Sequence, residues 1–180
     1  DTKGIKMPAI RRRLLLEVEV PGMGYKTYAM RPRGPKYISH PEKVSDRKLM
    51  AREDGVLENE NIKVKINANG TFDMLHKASG HEMKEMHYYT DNGEVGSAHL
   101  SAYPKRNFVR TTLGKTADIT MMESNEHRGV YRIDLDITVP AAATPDGRDR
   151  FRENKTIPIT TWLTLTKDAK HLKVKTKLHN

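Results

Sequence analysis

Ile62, Val64 and Ile66 alternate with Lys63 and Lys65. That is the period of a strand with one dry face and one wet face. Asn69-Gly70 follows, and both residue types tolerate the positive φ of a tight turn. Thr71–Leu75 reads as the return strand, so the stretch predicts a β-hairpin. A hairpin of this kind restricts the fold and carries no chemistry of its own.

The same alternation recurs along the chain. Leu14, Leu16, Val18 and Val20 share one face of a strand over Ile10–Val20, with Glu17 and Glu19 opposite. Pro21–Gly24 turns the chain into a second strand, Tyr25–Met30, giving an antiparallel pair. Residues 33–54 are rich in proline and charge and read as a linker. Within them, a short helical turn is expected over Val44–Arg52. Glu82–Tyr89, Phe108–Leu113 and Ala117–Glu123 read as strands. The clearest is Gly129–Val139, with Tyr131, Ile133, Leu135, Ile137 and Val139 on one face. Ile157–Thr166 follows, with Ile159, Thr161, Leu163 and Leu165 on one face and Trp162 on the other. A tryptophan there implies that the second face is also covered and that the strand lies centrally. Lys173, Lys175 and Lys177 form the wet face of a last strand, Leu172–Leu178.

About nine or ten strands with recurrent turns and no long helix predict an all-β fold, an antiparallel β-sandwich. The expected organisation is the end of a small β domain over 1–32, the linker over 33–54, and a sandwich over 55–180. Asp91–His99 is rich in glycine and polar residues. A loop of that length inside a β domain is often functional.

Net charge is +9, which raises a nucleic-acid reading. The basic residues are spread over many strands, and aromatic content is only 6%, so a solvated strand face that blunts a sheet edge accounts better for Lys173–Lys177. The absence of cysteine removes disulfides and thiolate metal sites and favours a reducing, cytoplasmic setting. No apolar run has membrane length. His76, His81, His87 and His99 lack the spacing of a zinc site. Asp134 and Asp136 lie two apart on one strand face, a poor arrangement for two carboxylates flanking a glycosidic bond. Gly22 and Gly24 precede no helix that could present its N-terminus to a phosphate. No catalytic set is legible. The start at Asp1, without Met, fits a piece of a longer protein.

Several stretches together resemble the region after the catalytic domain in glycoside hydrolase family 38, the α-mannosidases. Leu14–Tyr28, with Pro21-Gly22-Met23-Gly24-Tyr25, is similar to one family segment, and Leu57-Glu58-Asn59-Glu60 with Asn69-Gly70-Thr71 is similar to another. Gly93-Glu94-Val95-Gly96-Ser97-Ala98-His99 falls where bacterial members carry a Gly-Glu-x-Gly loop. Thr111-Thr112-Leu113-Gly114, Tyr131-Arg132 with Val139-Pro140-Ala141, and Ile157 through Asn180 continue the likeness.

The resemblance implies that this chain is a fragment without the catalytic domain, and that the family sequence continues past Asn180. It implies the first part of a galactose-mutarotase-like sandwich over 55–180. It also implies a parent that cleaves α-mannosides with retention, with zinc bound in its absent catalytic domain and none in this fragment. In the secretory-pathway branch, a loop tyrosine reaches the sugar. The run Ser97-Ala98-His99-Leu100 fits that loop and makes His99, with Ser97 and Glu94 beside it, a candidate for the substrate cleft. A wall of the cleft and a plain surface position both stay open for His99.

The implied partners are the parent's catalytic domain and its α-mannoside glycan, together with self-association through a cut sheet edge. Two other functions compete. A stand-alone carbohydrate-binding module would need a platform from Tyr88, Tyr89, Tyr103 or Trp162, and a basic nucleic-acid-binding domain would use the net charge.

Overall fold

A computed structural model describes residue 16, residues 18–29 and residues 49–179. The chain divides into two compact units, residues 1–42 and 43–180. In the first, the amide of Gly24 donates to the Pro21 carbonyl at 3.1 Å, closing the expected turn. Neither 18–20 nor 24–29 is in a strand. The expected pair Ile10–Val20 and Tyr25–Met30 therefore has no ladder in its described part, and Leu14 lies outside the described residues.

The second unit is all β among its described residues. Strands β1 (Ala51–Arg52), β2 (Val56–Glu58), β3 (Ile62–Ile66), β4 (Phe72–His76) and β5 (His81–Met86) form one antiparallel sheet in that order. Strands β8 (Asp118–Ser124), β9 (Arg128–Pro140), β10 (Asn154–Thr166) and β11 (Lys173–Leu178) form a second, ordered β11-β10-β9-β8. Between them in sequence, β6 (Thr90–Asp91) and β7 (Arg110–Thr111) make a two-stranded pair.

The two larger sheets bury their apolar faces in one core. The first contributes Leu57, Ile62, Val64, Ile66 and Phe72; the second contributes the alternate residues of β9 and β10. β9 and β10 pair without interruption from Pro140↔Asn154 to Arg128↔Thr166, and the faces read from the sequence are the faces observed. At Gly129 the layers approach so closely that a Cβ would lie 2.7 Å from Leu57 Cδ2.

The opening hairpin is present, with Ile62↔His76 and Ile66↔Phe72 at its ends. Its turn uses the two residues differently. Gly70 takes φ +82°, and a Cβ there would meet Leu135 Cδ2 at 2.9 Å. Asn69 keeps negative φ and serves through its side chain. Its Oδ1 accepts from the Thr71 amide at 3.1 Å, and its Nδ2 donates to the Leu113 carbonyl at 3.1 Å.

Three local readings change. Ala51–Arg52 is a strand rather than part of a helical turn, because Met50 and Ala51 sit in the core and Ser124 Oγ bonds both the amide and the carbonyl of Ala51. Residues 44–48 lie outside the described residues. The expected strand Phe108–Leu113 shrinks to Arg110–Thr111, since Phe108 and Val109 are exposed and have no apolar face to cover. β10 does lie inside its sheet, but Trp162 is half-buried under the neighbouring strand's Lys175, whose Nζ is 5.8 Å from the ring centre. No helix among the described residues is long and apolar enough to cross a membrane.

Candidate functional site

The chain leaves the sandwich at β6 and returns at β7. Thr112 is buried here; its amide donates to the Tyr89 carbonyl at 3.1 Å, and its Oγ1 accepts from the Tyr89 amide at 3.0 Å. Residues 92–109 lie between, and they are held from the 141–153 loop by Arg150. The Arg150 side chain is only 5% exposed and its Nη1 stands 2.6 Å from Asp91 Oδ2. The same Nη1 donates to the Phe108 carbonyl at 3.1 Å. One guanidinium therefore ties down both ends of the excursion. Arg106 adds a second tie: its amide donates to the Arg148 carbonyl at 3.1 Å and its Nε pairs with Asp149 Oδ2 at 3.1 Å. Charge neutralisation by Asp91 offsets the desolvation of Arg150. The two loops thus make one lobe.

Within the lobe the chain forms a small hairpin. Val95 N donates to Ala102 O at 2.9 Å and Ser97 N to Leu100 O at 2.8 Å. Glu94 staples its base. Oε1 accepts from the amides of Gly96 at 2.7 Å and Ala102 at 2.9 Å, and Oε2 from Ser101 Oγ at 2.6 Å. The Ser101 hydroxyl, then those two amides, hold the Glu94 carboxyl below the usual glutamate range. A Cβ on Gly96 would fall 2.0 Å from the Leu100 carbonyl oxygen, so glycine is required there.

The three residues singled out from sequence fall in this one element. Glu94 is at its base and Ser97 opens the turn, with Oγ accepting from the His99 amide at 3.4 Å. His99 is exposed at the tip, and its ring has no hydrogen-bond partner among the described residues. The chemistry open to each differs. Glu94 already accepts three hydrogen bonds, which suits a structural carboxylate. The His99 imidazole can donate or accept toward a hydroxylated ligand.

Other expected groups have structural uses. Asp134 Oδ2 pairs with Arg132 Nε at 2.7 Å, and its Oδ1 accepts from Thr160 Oγ1 at 2.7 Å. His76 and His81 face each other across β4 and β5. Among the described residues no group of three or more His, Asp or Glu could hold a metal ion.

Two arrangements had no sequence signal. Asn59 is buried and fully used. Its Nδ2 donates to the carbonyls of Thr166 at 2.9 Å and Ala169 at 2.8 Å, and its Oδ1 accepts from the amides of Asn61 at 2.9 Å and Ile62 at 2.8 Å. His87, at φ +72°, joins Tyr89, Thr161 and Thr176 in a polar knot. The Tyr89 hydroxyl lies 2.8 Å from His87 Nε2, 3.0 Å from Thr161 Oγ1 and 3.1 Å from Thr176 Oγ1. Burial lowers the His87 pKa.

No family model matches the chain. It is 32% identical over 138 residues to a protein named "Putative mannosylglycerate hydrolase" from Halalkalibacterium halodurans, covering 69% of this chain and 15% of that protein. A crystal structure of a protein in the glycosyl hydrolase family 38 from Enterococcus faecalis gives a TM-score of 0.70 at 26% identity, covering 73% of this chain and 18% of that one. A crystal structure of an alpha-mannosidase from the same species gives 0.70 at 26% identity, over 73% of this chain and 17% of that one. The chain thus spans under a fifth of the length of these relatives. Alike in sequence and in backbone path, it corresponds to a β-sandwich segment of the glycosyl hydrolase family 38 proteins.

Proposed function

We propose that this chain is a non-catalytic β-sandwich part of a longer hydrolase that cleaves α-mannosidic bonds with retention. Its job is to brace the catalytic domain and present the 92–109 lobe to the substrate cleft. The observation that carries this reading is the pinned lobe, whose base is held by the Asp91–Arg150 pair and whose tip hairpin is stapled by Glu94. A loop ordered by its own charge pairs reaches a ligand without losing conformational freedom when it binds. Leu100, Tyr103, Phe108 and Phe151 on the lobe are exposed apolar side chains, and these suit burial against a further domain.

In this reading Glu94 and Ser97 shape the hairpin and His99 meets a sugar hydroxyl. The relatives' names supply the substrate class, a mannose-containing glycoside. In this reading the family's zinc belongs to the catalytic domain of the longer hydrolase.

His99→Ala in the longer protein tests this. The expected result is a KM for an α-mannoside raised about tenfold, the worth of one hydrogen bond to a substrate hydroxyl, with retained folding. Unchanged kcat and KM would remove His99 from the cleft. The isolated chain should show no turnover and no glycan-induced shift at millimolar sugar. Saturable glycan binding would instead favour a carbohydrate-binding module.

A further inference from the structure

A groove of about 460 Å³ opens where β7 meets the far end of β9 and the start of β10. Arg110, Thr111, Lys115, Thr138 and Asn154 line it over an apolar floor that includes Ile137. No carboxylate lines it. Among the described residues, the side chains of Arg110 and Lys115 have no acidic partner. In contrast, Arg52, Arg106, Arg128, Arg132 and Arg150 are each paired with Asp or Glu. The Asn154 side-chain amide is also unengaged, so the groove offers a guanidinium fork, an ammonium and amide donors with no carboxylate to neutralise them.

The two cations are not equivalent. Lys115 also borders a neighbouring recess of about 310 Å³ that contains Asp118, Asp134 and Asp136, whose negative field attenuates its charge. Arg110 stands opposite Asp91 in the β6–β7 pair, but that carboxylate is neutralised by Arg150, and along the groove lining Arg110 meets no acid and presents a planar fork suited to a bidentate oxyanion.

We propose that this groove is a binding site for a small hydroxylated molecule bearing an oxyanion, a carboxylate or a phosphate. Arg110 is the principal contact, Lys115 is auxiliary, and Thr111, Thr138 and Asn154 meet hydroxyl groups. The volume exceeds what a bare inorganic ion fills and suits a sugar-sized ligand. The site lies at the base of the lobe rather than at its tip, so it stands apart from the reading of His99.

The test uses the 180-residue chain, with amide shifts followed by NMR during titration with a hexose phosphate, a hexuronate, inorganic phosphate and the uncharged hexose. Saturable shifts at Thr111, Gly114, Lys115 and Asn154 are expected for the hexose phosphate or the hexuronate, with the better of the two identifying the anion. Arg110→Ala should weaken binding about tenfold or more, and Lys115→Ala by less. Both side chains are exposed, and unchanged thermal unfolding will show that the variants fold. Equal affinity for the uncharged hexose, no saturation with either charged sugar, or undiminished binding in Arg110→Ala would overturn the proposal.

Discussion

Arg150 reaches from the 141–153 loop to Asp91 at 2.6 Å, and the same guanidinium takes the carbonyl of Phe108. The pair joins the point where the lobe leaves the sandwich to the point where it returns. Removing one partner strands a charge with little water around it. Asp91→Ala is expected to lower stability by roughly 3 kcal/mol, and the double variant Asp91→Ala, Arg150→Met to recover much of that loss. Urea unfolding of the wild type, the singles and the double closes the cycle. Additive losses would mean that the two side chains do not act as a pair.

Glu94 orders the hairpin most strongly while ionised, because its oxygens then accept three charge-assisted hydrogen bonds. Its folded-state pKa is depressed, so its contribution is complete above the ordinary glutamate value and is lost as pH falls through the depressed one. The amides of Gly96 and Ala102 should lose hydrogen-exchange protection over that acid range. Glu94→Gln should lack protection there at neutral pH. Protected amides in Glu94→Gln would show that the backbone holds the hairpin unaided.

His87 behaves with the opposite charge logic. Neutral, it keeps a lone pair on one ring nitrogen, and its Nε2 stands 2.8 Å from the Tyr89 hydroxyl. Burial depresses its pKa in the folded state, so the unfolded chain takes up a proton first as pH falls. Stability should therefore decline from the ordinary histidine value down through the depressed one and be level above it. The difference between wild type and His87→Gln isolates this from the other histidines. A pH-independent difference in urea midpoint would exclude a titrating role for His87.

Asn59 closes the β2–β3 turn with two hydrogen bonds and ties it to the β10–β11 turn with two more. Asn59→Leu removes the amide and leaves the Thr166 and Ala169 carbonyls without it. A loss of roughly 2–4 kcal/mol is expected, from four hydrogen bonds at about 0.5–1 kcal/mol each. Chemical denaturation measures it directly, and a loss under about 0.5 kcal/mol would mean that water replaces the amide.

Legibility followed the range of the interaction. Tyr131 to Val139 and Ile159 to Leu165 show their buried faces in sequence because alternation is a local property of a pleated chain. Gly70 is legible for the same reason, since a turn needs positive φ at that residue. Glu94, Ser97 and His99 could be singled out, and the structure puts them in one hairpin. Arg150 gave no signal, because nothing near it in sequence indicates Asp91. Neither Tyr89 nor Thr176 suggests His87 for the same reason. Phe108 to Leu113 misled because apolar residues facing solvent and apolar residues facing a core look alike in a short run.

Sequence alone thus determined the all-β class, the core faces of β3, β9 and β10, and the hairpin around Gly70. Those depend on side-chain period and on the φ that one residue can adopt. Tertiary structure decided that two loops far apart in the chain become one lobe. It also decided that Asn59 and His87 are interior polar groups, and that Arg110 faces a groove without a carboxylate. An ion pair or a shared hydrogen bond exists only once the packing of the two sheets has fixed which loop ends lie within a few ångströms of each other.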